Sequence, residues 1–176
     1  VSSQRLTEEE ARQVLASAIP IAPREGSSPV RIADVVGHDL EGTHHVIALT
    51  SNEHRSLLLF LSTQCLGCDE LFRSAASPEV LGVVSPDEVV IVARESENPE
   101  ELQTKVGTVP CVQSDQAFRE YQVTGAPFFS LIDPSFSTVA SEGVAWGADN
   151  IARAVRAAME GAPESETGRL LSQGDE

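Results

Sequence analysis

Basic residues are scarce in this chain: 12 Lys and Arg stand against 27 Asp and Glu, a formal net charge of −15 over 176 residues. That balance repels phosphate backbones and anionic bilayer surfaces, so nucleic-acid binding and electrostatic membrane attachment are poor functional readings. No apolar run approaches the ~20 residues that span a bilayer, and the chain has no leader-type apolar stretch. Histidine stops at His54, so no Cys/His finger can be assembled around the later part of the chain. Only three cysteines are present, too few to staple a small disulfide-built scaffold. A staple is not needed, since a hydrophobic fraction of 41% spread over Val, Leu and Ile suffices for one soluble α/β domain with its own core.

The cysteines that are present are placed suggestively. Cys65-Leu66-Gly67-Cys68 follows the apolar run Leu57-Leu58-Leu59-Phe60-Leu61, which reads as a buried strand delivering two thiols to the first turn of a helix. With a helix beginning at about Cys65, Cys68, Phe72 and Ala75 share the inward stripe, while Cys65 stands at the open end. Unpaired N–H groups at a helix start favour a thiolate, and CxxC sites of this kind bring thiol pKa values from about 8.5 to roughly 3.5–7.5. Cys65 is therefore the candidate nucleophile and Cys68 the candidate resolving thiol. Two plainer explanations compete, a structural disulfide and half of a zinc knuckle. So short a loop removes little unfolded-state entropy, and the zinc reading lacks a second CxxC or HxxxH. The remaining thiol, Cys111, is expected to be buried and inert, as free cysteine behaves like a small hydrophobe.

A second signal is Gly125-Ala126-Pro127 ahead of Phe128-Phe129-Ser130-Leu131-Ile132. Proline gives no N–H to a ladder and biases Ala126 away from helix, so its place before an apolar strand marks either an ordinary trans proline at a strand edge, the plainer reading of this segment alone, or a special turn with a cis Ala126-Pro127 bond.

Together, these two segments resemble the thioredoxin superfamily, and Phe60-Leu61-Ser62-Thr63-Gln64-Cys65-Leu66-Gly67-Cys68 is most similar to the TlpA/ResA-type thiol-disulfide oxidoreductases and the MauD-type accessory proteins of methylamine dehydrogenase. The resemblance spans roughly Pro29 to Gly161. It implies a thioredoxin-like α/β fold, a central mixed sheet flanked by helices, and disulfide exchange with partner proteins through Cys65 and Cys68. It further implies that Pro127 is cis and shapes a substrate groove in which Ala126 offers its backbone to an extended segment. Protein thiols or disulfides and a redox partner protein are the implied partners, with no cofactor and no metal. Gln64, Leu66-Gly67 and Leu59 stand where thioredoxins proper carry a tryptophan, Gly-Pro and a buried acid, so the proton released on activating Cys68 is left to water or another group.

A redox-silent thioredoxin-like binding module is the alternative function. Peroxiredoxin-like peroxidase activity is more distant, because Ser62-Thr63-Gln64-Cys65 lacks the supporting proline of that family. The chain opens at Val1 without an initiator methionine, which together with the resemblance leads us to expect an extracytoplasmic domain released from an N-terminal membrane anchor.

Three segments are expected. Residues 1–28 hold a helix opened by the capping box Thr7-Glu8-Glu9-Glu10, then a breaker-rich linker. Residues 29–162 form the thioredoxin-like domain, prefaced by a hairpin around Gly37 and Gly42. Residues 163–176 are a polar tail. Within the domain, Val89–Ala93 reads as a buried strand, Asn98-Pro99 as a helix start, Val109–Val112 as a weak strand and Ser114–Tyr121 as a short helix. Phe128–Ile132 and Val139–Ala145 read as a closing hairpin. The last helix, from about Asp149, presents Ile151, Val155 and Met159, with Trp146 before it as a packing anchor. His44-His45 should point to opposite strand faces rather than share a metal ion.

Overall fold

A computed structural model describes residues 29–83 and 89–160; the expected N-terminal helix and linker of residues 1–28 and the tail of residues 163–176 lie outside the described residues. Seven strands are ordered β2-β1-β5-β4-β3-β6-β7 in one mixed sheet. They are β1 (Val35–His38), β2 (His44–Ile47), β3 (Ser56–Phe60), β4 (Val89–Ala93), β5 (Cys111–Gln113), β6 (Phe128–Ile132) and β7 (Ser141–Val144). The helices are α1 (Cys68–Ala75), α2 (Pro99–Val106), α3 (Asp115–Glu120) and α4 (Ala148–Glu160), with a 3-10 turn at Pro78–Leu81. Parallel pairing joins β3 to β4 and β4 to β5, each through a helical crossover, whereas β6 and the two terminal hairpins pair antiparallel.

The unbroken apolar run of β3 follows from burial on both faces, which removes the polar alternation of a one-sided strand. Leu57, Leu59 and Leu61 join Leu71, Phe72, Leu102, Ile151 and Val155 in the core beneath α1, α2 and α4. Leu58 and Phe60 face the opposite core with Phe118, Tyr121 and Phe128. There the Phe60 ring meets Phe118 edge-on at 5.0 Å and Tyr121 at 5.9 Å, a geometry aromatic quadrupoles favour. Burial pushes the Tyr121 phenol up to about 12, so its hydroxyl stays protonated and donates to the Ala33 carbonyl at 2.5 Å.

Local sequence sets the element ends. Asn98 caps α2, accepting from the Glu100 N–H at 2.8 Å, with Pro99 at the first helical position. Ser114 caps α3 through the Ala117 N–H at 3.0 Å while donating to the Val36 carbonyl, which ties the N-terminal hairpin to the sheet. Gly37 makes that docking possible, because a Cβ there would meet the Gln113 carbonyl oxygen at 2.1 Å. His44 and His45 alternate along β2 as expected, and the His44 ring instead meets that of its cross-strand partner His38 at 6.2 Å.

Two packing expectations fail. Met159 is 41% exposed, because the buried stripe of α4 runs Ile151, Val155 and then Ala158, the i, i+4, i+7 positions, which turns Met159 outward. Trp146 is 42% exposed and is no packing anchor, since Ala145 fills the core position before it.

Candidate active site

The carboxyl ends of β3 and β4 and the amino end of β6 meet at one edge of the sheet. Phe60 pairs with Phe128, so Pro127, the residue before Phe128, enters β6 at the end where β3 leaves the sheet, and the next residues of the β3 chain lead through Leu61 and Ser62 to Cys65. Cys65 and Cys68 are joined as a disulfide with Cα atoms 5.5 Å apart. Their surroundings differ sharply: Cys68 is fully buried in the core beneath α1, whereas Cys65 is half-buried at its margin. Between them Leu66 is completely exposed.

The helix does not begin at Cys65. Its first residue is Cys68, preceded by Gly67 in the left-handed conformation with φ 93°. Cys65 instead closes a turn, its N–H donating to the Ser62 carbonyl at 3.4 Å, and the Cys68 N–H returns to the Cys65 carbonyl at 3.4 Å. Glycine accounts for the shift, as a left-handed residue cannot continue a right-handed helix. A Cβ at Gly67 would meet nothing within 4 Å, so the cost of Gly67→Ala is backbone strain alone. We expect a loss of about 1–2 kcal/mol, read as a lower urea midpoint for the oxidised protein with an unchanged m-value.

The Ala126-Pro127 bond is cis, in agreement with the sequence reading. The Pro127 carbonyl accepts from the Ala145 N–H at 3.1 Å, fastening this loop to the end of β7. Trp146 follows directly. Its neighbour Gly147 lies close to α1, with the Glu70 Oε1 3.7 Å from where a Gly147 Cβ would stand. Cys65, Ala126 and Ala148 all pack partly buried against the same core that holds Cys68.

A carboxylate engages the segment leading into Cys65 after all, from the loop following β4 rather than from Leu59. Glu97 Oε2 accepts from the Thr63 N–H at 3.1 Å and from the Thr63 hydroxyl at 2.5 Å. Glu97 Oε1 accepts from the Ser62 hydroxyl, whose oxygen in turn accepts the Gln64 N–H at 3.1 Å. Burial raises the Glu97 pKa, but the hydrogen bonds from Ser62 and Thr63 outweigh it and hold the carboxyl below its ordinary value of 4.5. The loop bearing Glu97 is anchored from below by Gln113, which is buried on β5 and donates through Nε2 to the carbonyls of Glu97 at 2.9 Å and Arg94 at 3.1 Å. Nothing in the spacing of residues 62 and 97 announces this contact. The available hint was that β3 and β4 are parallel neighbours, whose carboxyl-end loops must lie side by side.

Cys111 is buried on β5, and burial pushes its thiol up to about 12. Among the described residues no group of three or more metal-ligating side chains converges, and no helix is long and apolar enough to cross a membrane.

No protein-family model matches the chain, and no curated relative matches it. Solved structures do. A thiol:disulfide interchange protein from Bacteroides sp. superposes with a TM-score of 0.53 at 15% identity, over 81% of this chain and 97% of its own. The thioredoxin domain of a thiol-disulfide oxidoreductase from Bacteroides vulgatus gives 0.56 at 12% identity, over 75% of this chain and 98% of its own. The fold is thioredoxin-like. StoA from Bacillus subtilis, at 20% identity and a TM-score of 0.51, covers 72% of this chain and is itself covered to 99%. The structural neighbours of this thioredoxin-like chain thus include thiol:disulfide interchange proteins, and the chain itself carries a bonded Cys65–Cys68 CxxC pair.

Proposed function

We propose that the protein is a thiol-disulfide oxidoreductase that exchanges disulfides with partner proteins through Cys65 and Cys68. The observation that carries this reading is the unequal burial of a bonded pair at the edge where Pro127 meets the end of β3. A sulfur that must meet a partner has to be reachable, and one that closes the cycle does not.

In the reducing direction the Cys65 thiolate attacks one sulfur of a partner disulfide, forming a mixed disulfide and releasing the partner's other sulfur as a thiolate. The Cys68 thiolate then attacks the Cys65 sulfur. The intramolecular disulfide forms, the second partner sulfur leaves as thiolate, and two electrons have passed to the partner. An external dithiol restores the pair, and the oxidising direction is the same sequence reversed. Cys65 is the nucleophile in this scheme, and Cys68 the resolver. Ala126 packs against the same core cluster as Cys65, and in this scheme it offers backbone to an extended partner segment by strand-like pairing. An extracytoplasmic setting belongs to the same proposal and rests on the sequence resemblance.

Catalysed reduction of a protein disulfide by dithiothreitol tests the activity: turnover should exceed the uncatalysed rate and vanish in Cys65→Ala. No acceleration by the wild-type protein would favour a docking module in its place. Cys111→Ala should keep the wild-type rate, because a thiol with a pKa of about 12 on a buried strand is neither ionised nor reachable. Loss of turnover in a folded Cys111→Ala protein would demand a three-thiol relay.

A further inference from the structure

We infer that Glu97 is a positioning residue for Cys65, a carboxylate clamp that fixes the turn carrying the nucleophile and places a negative charge against its thiolate. The inference rests on the functional reading above and extends it to a residue outside the CxxC and Pro127 segments.

Three links form the clamp. Gln113, buried on β5, holds the loop after β4 through the carbonyls of Arg94 and Glu97. The Glu97 carboxylate then gathers the hydroxyls of Ser62 and Thr63 and the Thr63 N–H. Ser62 passes the constraint on, its hydroxyl oxygen accepting from Gln64 and its carbonyl from the Cys65 N–H. Both carboxylate oxygens are thus committed to the residues immediately before Cys65. A surface glutamate serving only solubility would have no need of three donors from one loop.

The charge has a consequence of definite sign. Two residues of chain span at most about 7 Å between Cα atoms, so an anion hydrogen-bonded at Thr63 belongs to the surroundings of Cys65 and opposes ionisation of its sulfur. The depressed carboxyl pKa keeps Glu97 ionised at neutral pH, and its opposition is therefore present there. The site thereby keeps its thiol less acidic, and its disulfide more stable, than the same turn without the carboxylate would.

Two substitutions separate charge from reach. Glu97→Gln keeps the length and can still accept from Thr63, but carries no charge. Glu97→Asp keeps the charge and falls short of the loop. The measurement is thiolate absorbance of the reduced protein against pH in the Cys68→Ala, Cys111→Ala background, where Cys65 is the sole thiol. Glu97→Gln should lower the Cys65 pKa by about half a unit, a threefold gain in thiolate below the pKa. In the protein with its CxxC pair intact, the same substitution should raise the reduction potential. Glu97→Asp should leave the Cys65 pKa close to wild type yet slow exchange with a protein disulfide, because the turn is no longer held. An unchanged Cys65 pKa in a folded Glu97→Gln protein would overturn the role of Glu97. The titration needs no partner, so a wild-type protein that fails to exchange disulfides while Glu97→Gln still shifts the thiol would sink the functional reading and leave the clamp standing.

Discussion

Cys68→Ala should turn a transient exchange into a stable adduct. The half-buried Cys65 sulfur can still attack a partner disulfide, but with Cys68 gone no thiolate behind it in the core can release the product. Mixed disulfides with a peptide or protein substrate should then persist on non-reducing gels and dissolve on adding dithiothreitol. Cys65→Ala should form none, since Cys68 is fully buried and Cys111 lies on a buried strand. The effect is close to all-or-none, because attack and resolution are separate steps with one sulfur each. Adducts in Cys65→Ala but not in Cys68→Ala would reverse the two roles.

Phe60→Ala should cost about 3–5 kcal/mol, the largest stability loss expected of a single substitution near the site. Phe60 has no exposed surface, and its ring touches Phe118, Tyr121 and Phe128 from the end of β3. A cavity there lies between α3 and the sheet, on the face opposite Cys68. It also loosens the pairing of Phe60 with Phe128, the residue that follows Pro127 into β6. Urea denaturation measures the loss. A change under about 1 kcal/mol would mean the aromatic cluster repacks freely, contrary to the density of protein interiors.

How much of this was legible in the sequence depended on whether the signal was local. Val89–Ala93 is an apolar run long enough for a two-sided strand, and it forms one within those bounds. Asn98-Pro99 announced α2 because cap and first turn are written in adjacent residues. The hairpins and the inward stripe of α1 could be read for the same reason, whereas the cis Ala126-Pro127 bond followed from the resemblance of the two segments together and not from its own residues. Errors arose where one residue rotated or redirected a local pattern. Gly67 displaced the helix start from Cys65 to Cys68, and the 3.6-residue period put Ala158 rather than Met159 against the core. Glu97 was out of reach altogether, being tied to Ser62 and Thr63 by hydrogen bonds across 35 and 34 positions that only the parallel placement of β3 and β4 brings together. A search for an acid confined to the strand before the cysteines therefore looked in the wrong loop.

The most direct test is an equilibrium redox titration of the wild-type protein in dithiothreitol or glutathione buffers, with the Cys65–Cys68 pair followed by alkylation and mass. An exchange pair predicts one reversible two-electron transition, in which each tenfold change in the ratio of reduced to oxidised protein takes about 30 mV, with the same midpoint from the oxidised and reduced sides. Cys111 should stay unlabelled in the native protein throughout. A disulfide that resists reduction across the whole range, or thiols that do not re-form the Cys65–Cys68 bond on reoxidation, would contradict redox exchange and leave the fold as a docking surface.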